Sequence, residues 1–73
     1  MKCVISKIEQ PFTDKFKDNY VVHFDYFGNE QKAIITKNML NFNKREFINV
    51  GDSIEVLKGF KNNNVQYRVI KVY

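Results

Sequence analysis

Apolar residues recur at every second position through most of this chain, the period of a β-strand that buries one face and leaves the other wet. Residues 4–8 form the first such run, and Pro11 stops it because proline donates no hydrogen bond to a ladder. Residues 13–19 are a polar connection. Residues 20–27 are rich in aromatic and β-branched side chains, which suit a pleated, half-buried surface, and read as the second strand. Gly28-Asn29 fits a two-residue hairpin loop whose first central position takes positive φ, so residues 31–37 are the antiparallel return strand.

A loop at Gly28-Asn29 sets Phe27 opposite Glu30, Asp25 opposite Lys32, Phe24 opposite Ala33, His23 opposite Ile34 and Val22 opposite Ile35. This register puts an acidic residue across from a basic one and apolar residues across from each other, as cross-strand pairing prefers. Tyr20, Val22, Phe24 and Tyr26, with Ala33 and Ile35, make the expected core face. Val21, His23, Asp25 and Phe27, with Lys32, Ile34 and Thr36, make the outer face, which carries more hydrophobe than solvent requires.

The alternation breaks after Asn38. Met39, Leu40, Phe42 and Phe47 fall nearer helical spacing with Asn38 as the expected N-cap, which predicts a helix of about one to two turns. Val50-Gly51-Asp52 reads as a tight turn into the fourth strand, residues 53–58, where Ile54 and Val56 alternate with Ser53 and Glu55. Residues 59–64 read as a turn-rich loop, with Asn62-Asn63-Asn64 as its flexible part, and residues 65–72 as the last strand.

Five short strands with a helix between the third and fourth is the order of an OB-fold, a five-stranded Greek-key barrel. The stretch Lys32-Ala33-Ile34-Ile35-Thr36, a helical spacer, then Ile48-Asn49-Val50-Gly51-Asp52-Ser53-Ile54-Glu55-Val56 resembles the small OB-fold RNA binders typified by bacterial translation initiation factor one. In element order the chain is also similar to cold-shock-type domains. The resemblance covers most of the chain and implies one OB-like domain over residues 1–73. In that fold the ligand lies across strands two and three, between the first connection and the one joining strands four and five. By this resemblance Phe16 and Phe60 would flank a groove with His23, Phe27, Lys32, Tyr67 and Arg68 on or near its floor.

Those two connections share one chemistry. Lys15-Phe16-Lys17 and Lys58-Gly59-Phe60-Lys61 each hold a phenylalanine between two ammonium groups, which suits single-stranded nucleic acid because a ring stacks on a base while lysines meet phosphates. The competing reading of each ring is that it folds back to cover a barrel end. Asp14 and Asp18 bracket the first motif and cancel its charge, and His23 reads either as a stacking partner or as an ordinary strand residue.

Net charge changes the picture modestly. Twelve Lys and Arg against eight Asp and Glu give +4, which suits a polyanionic partner, although gene base composition also produces such a lysine excess. The hydrophobic fraction of 44% and charged fraction of 27% are those of a folded globular chain, and 73 residues is near the size where one core only just suffices. A single cysteine, Cys3, rules out an internal disulfide and points to a reducing, cytoplasmic setting. No signal-like or membrane-spanning apolar stretch is expected.

Catalysis is not expected. His23 and Cys3 are single copies on strands, and the chain has no Gly-rich phosphate loop, no zinc-type Cys and His spacing and no implied cofactor. The expected function is sequence-tolerant binding of single-stranded DNA or RNA. The alternative is a protein-interaction or regulatory module, SH3-like or OB-like, that uses Val21, Phe27 and Ile34 for a protein partner or a homodimer. Lysine decides between them, because protein interface cores are depleted in it and a phosphate track needs it.

Overall fold

The computed structural model describes residues 1–9 and 19–73. The elements are β1 (Lys2–Glu9), β2 (Asn19–Tyr26), β3 (Asn29–Thr36), α1 (Lys37–Phe42), β4 (Ser53–Lys61) and β5 (Asn64–Val72). The chain is mainly β, and its one helix among the described residues lies between the third and fourth strands, where the broken alternation predicts it. All the strand pairings are antiparallel, in the order β3-β2-β1-β4-β5.

β1 serves two neighbours in succession. Lys2, Cys3 and Val4 pair with β4, whereas Ile5, Lys7, Ile8 and Glu9 pair with β2, and a bulge at Ser6 separates the two halves. A bulge bends its strand and increases the local twist. The Ser6 hydroxyl donates to the His23 carbonyl at 3.2 Å, so the irregular step keeps a hydrogen bond to β2. The turn at residues 49–52 docks on the same bend. Ile5 N–H donates to Asp52 O at 2.9 Å and Gly51 N–H to Ile5 O at 2.8 Å. Gly51 has φ +97°, a left-handed conformation that glycine adopts without a Cβ penalty. The Asp52 carboxylate closes the turn by accepting from Asn49 N–H at 2.8 Å and from Arg45 Nη2 at 2.6 Å.

The curled sheet encloses Cys3, Ile5, Val22, Phe24, Ala33 and Ile35 from its first three strands and Ile54, Val56, Val69 and Val72 from the last two. The period-two reading assigns the first-hairpin core face correctly. Burial also pushes the Cys3 thiol above its usual range, which favours the neutral form. Leu40 of α1 and Ile48 complete the core. The helix N-cap is Thr36 rather than Asn38: its hydroxyl accepts from Met39 N–H at 3.2 Å. The earlier cap lets Leu40 point inward, and it leaves Phe42 and Phe47 exposed.

The first hairpin has a different register from the one expected. Its turn residues are Phe27 (φ +52°) and Gly28 (φ +87°), so Tyr26 pairs with Asn29, Val22 with Ala33 and Tyr20 with Ile35. The offset is two residues, so each side chain keeps its face but changes its partner. Asp25 consequently lies across from Glu30 rather than Lys32, and its Oδ2 instead accepts from Gly28 N–H at 3.3 Å inside the turn. Residues 59–64 also differ from the expected loop. Strands β4 and β5 continue through them to a turn at Asn62 and Asn63, whose φ values of +51° and +65° are the left-handed pair that a two-residue hairpin needs. Gly59, Phe60 and Lys61 are therefore ladder residues, not loop residues.

The sheet also does not close. Among the described residues β3 pairs only with β2, and β5 only with β4, so the sheet remains open between them. Both edge strands run toward α1. Thr36 leads from β3 directly into the helix, and Val72 N–H of β5 donates to the Asn43 side chain at its end at 3.3 Å. The helix thereby lies across one end of the seam, and the two hairpin turns stand at the other.

Candidate nucleic-acid interface

The hairpin end of the seam holds a hollow of about 690 Å³. Glu30, Gln31, Lys32 and Ile34 of β3 form one wall. Val65, Gln66, Tyr67 and Arg68 of β5 form the other.

Tyr67 anchors an aromatic series that begins in the core. Its ring lies 6.1 Å from Phe24 and 5.0 Å from Tyr26, both edge to face, and Tyr26 is 5.0 Å from Phe27 in the same manner. Such geometry matches the electron-poor edge of one ring to the electron-rich face of the next. Phe27 ends the series at the turn, 74% exposed, with a positive φ that a bulky residue rarely takes. Phe60 approaches from the other hairpin. Directly paired residues share a face, and the pairs Val56 with Val69, Lys58 with Tyr67 and Phe60 with Val65 continue the core face of β4 and β5 past the core itself. Phe60 is 75% exposed there.

Four cations lie along the seam and the second hairpin. Lys58 shares a face with Tyr67 and Phe60, and Lys61 lies beside the turn. Lys32 and Arg68 border the seam from opposite strands. All four are exposed, and none forms an ion pair among the described residues. Lys15, Phe16 and Lys17 lie outside the described residues.

His23 has a different setting from the open groove floor the resemblance implies. It is only 6% exposed, with Nε2 3.0 Å from Glu9 Oε2 on β1. Ionised carboxylates only accept, so Nε2–H donates to Glu9. Nδ1 is 3.4 Å from Glu30 Oε1 of β3 without hydrogen-bond alignment, and it is buried with no partner. Lys7 and Lys32 face His23 directly across the two ladders, and Lys7 also contacts Glu9 at 3.4 Å. The ring links β2 to β1, packs against Glu30 of β3, and offers no open face for a base.

The Glu9 carboxyl is held below its ordinary value, first by the hydrogen bond from His23 and then by the one from Lys7. A depressed carboxylate contributes stability that is complete above the ordinary value of 4.5 and is lost as pH falls through the folded value. Wild-type protein is therefore expected to lose more stability than Glu9→Gln between about pH 6 and pH 3, read as urea midpoints at each pH. Equal losses would remove Glu9 from the acid response.

Gln31, Gln66, Glu30, Val65 and Tyr26 belong to this region and are absent from the residues the sequence nominates. Gln31 carries one legible signal, since it occupies a core-face position of β3 with a polar side chain, and it is half-buried. Nothing in the alternation marks Gln66 or Glu30. Among the described residues no group of three or more His, Cys, Asp or Glu side chains is placed to hold a metal ion, and no helix is long and apolar enough to cross a membrane. Comparison with family models, with curated proteins and with solved structures finds no match.

Proposed function

We propose that this protein binds single-stranded DNA or RNA without catalysis, with exposed rings stacking on bases and lysines meeting phosphates. The observation that carries the proposal is the aromatic series Tyr67, Tyr26 and Phe27, with exposed Phe60 beyond it, bordered by four cations that have no ion-pair partner among the described residues. Each stacked base contributes about 1–3 kcal/mol and is sequence-tolerant, since every base has a π-face.

We read the open sheet as OB-like. The curl of the sheet brings its two edge strands, β3 and β5, beside each other, and the helix follows β3, both features of that barrel. The reading also supports a binding surface at the hairpin end, across β3 and next to the turn between β4 and β5. A single buried Cys3 suits a reducing compartment such as the cytoplasm. The alternative, a protein or self-association surface, is favoured by one observation. Val21 and Ile34 are directly paired on the outer face, and Ile34 is 59% exposed.

Fluorescence titration with a labelled single-stranded oligonucleotide separates the two. Binding is expected at about 20 mM salt, where the screening length is long, and its absence there rejects the proposal. Phe60→Ala is expected to weaken binding roughly tenfold, the loss of one stack, and to leave the fold intact because the ring is exposed. Unchanged affinity in that variant moves the site away from the second hairpin.

A further inference from the structure

A surface that only stacks bases and neutralises phosphates has no use for a carboxylate, because an anion repels the strand. The seam nonetheless presents Glu30 between its cations. The side chain is 68% exposed and forms no aligned hydrogen bond among the described residues: His23 Nδ1 lies 3.4 Å away out of alignment, and Asp25 faces it across the ladder. Its oxygens are free to accept from a ligand. Lys32 stands two residues along the same edge, and Arg68 faces it from β5.

Carboxylate, cation and amide recognise different edges of a base. Guanine alone presents two adjacent N–H donors, N1–H and the N2 amino group, on one edge and two adjacent acceptors, O6 and N7, on another. A carboxylate accepts both of the former, and Arg or Lys donates to both of the latter. Adenine and cytosine set an acceptor beside their amino group, and thymine or uracil sets a single N–H between two carbonyls. Against any of these a carboxylate gains one hydrogen bond and meets a repelling lone pair.

Resting on the nucleic-acid reading above, we infer that the hairpin end of the β3–β5 seam is a guanine pocket. One guanine of a bound single strand enters between the edges, with Glu30 on its N1 and N2 edge and Arg68 or Lys32 on O6 and N7. The Tyr67 ring, held by Tyr26 and Phe24, supplies the stacking surface. Gln31 and Gln66 add amides that both donate and accept. The hollow of about 690 Å³ is open to solvent, which suits one base of a strand lying across the surface rather than an enclosed ligand.

The test uses all-thymine oligonucleotides of one length, carrying a single internal dG, dA or dC, titrated into the intact protein. The dG strand is expected to bind about tenfold or more tightly than the other three, the discrimination of one good bidentate contact. Glu30→Gln is expected to abolish that preference and to raise affinity for the all-thymine strand by removing a negative charge. A gain of this kind does not arise from misfolding. Equal affinity for all four strands, or a guanine preference that survives Glu30→Gln, overturns the pocket while leaving the nucleic-acid reading intact. Failure of every strand to bind at low salt overturns both.

Discussion

Phe24→Ala is expected to cost about 3–5 kcal/mol of folding stability, the usual loss when a buried phenylalanine is truncated. Phe24 is fully buried on β2, so its removal leaves a cavity that the surrounding strands fill only in part. The edge-to-face contact with Tyr67 at 6.1 Å adds to the loss, because aromatic pairs contribute roughly 0.5–1.5 kcal/mol beyond burial. A domain of this length has on the order of 4–11 kcal/mol in total at the usual 0.05–0.15 kcal/mol per residue. The variant is therefore expected to sit near its unfolding midpoint in mild denaturant. Urea titration followed by circular dichroism measures this directly. A loss under about 0.5 kcal/mol, the size of an ordinary surface change, would mean that β2 and β5 do not pack through this ring. The same contact holds Tyr67 at the seam, so the stability of the core and the shape of the proposed site depend on one residue.

Oligonucleotide affinity is expected to fall about 20- to 50-fold between roughly 50 and 200 mM salt. That range follows from three or four phosphate contacts at about 0.7 in the logarithmic slope per contact for a single strand. Lys32, Lys58, Lys61 and Arg68 are the groups available, since none of them is neutralised by an ion pair among the described residues. Replacing Lys58 and Lys61 together by alanine should reduce the slope by about 1.4. A salt-independent affinity would show that the strand, if bound, is held by apolar contact alone. An unchanged slope in the double variant would place the phosphate track on other cations.

Much of the fold is legible in the sequence. The alternation around Tyr20, Val22, Phe24 and Tyr26 identified a buried face, and all four lie on it. The break after the third strand predicted the helix. Register was not readable, because two neighbouring turn positions satisfy the same alternation and differ only in who faces whom. Gly28-Asn29 has the better turn composition. The chain instead bends at Phe27-Gly28, with Phe27 in a strained conformation and Asp25 capping the turn. The reach of β4 was missed for a related reason. Gly59 and the three asparagines have the composition of a loop, yet Asn62 and Asn63 alone make the turn and the remainder is ladder.

The candidate site divides in the same way. Exposed Phe60 and its lysines were visible as a motif. The enclosure of His23 was not, because it depends on Glu9 and Glu30 arriving from two other strands. Glu30 itself has no local signal. It matters only because β3 and β5, separated by the helix and by β4, come to stand side by side without pairing.

Side-chain periodicity is a property of the chain and its dihedral angles, so sequence determined which residues face inward, how many elements form and in what order. Partnership across strands depends on turn conformation and on the bend of β1 at Ser6, which carries the chain from one neighbour to the other. Only the folded molecule decided that two edges remain unjoined and that a carboxylate, two cations and a tyrosine line the gap, because residues more than thirty positions apart meet there through packing that no local pattern encodes.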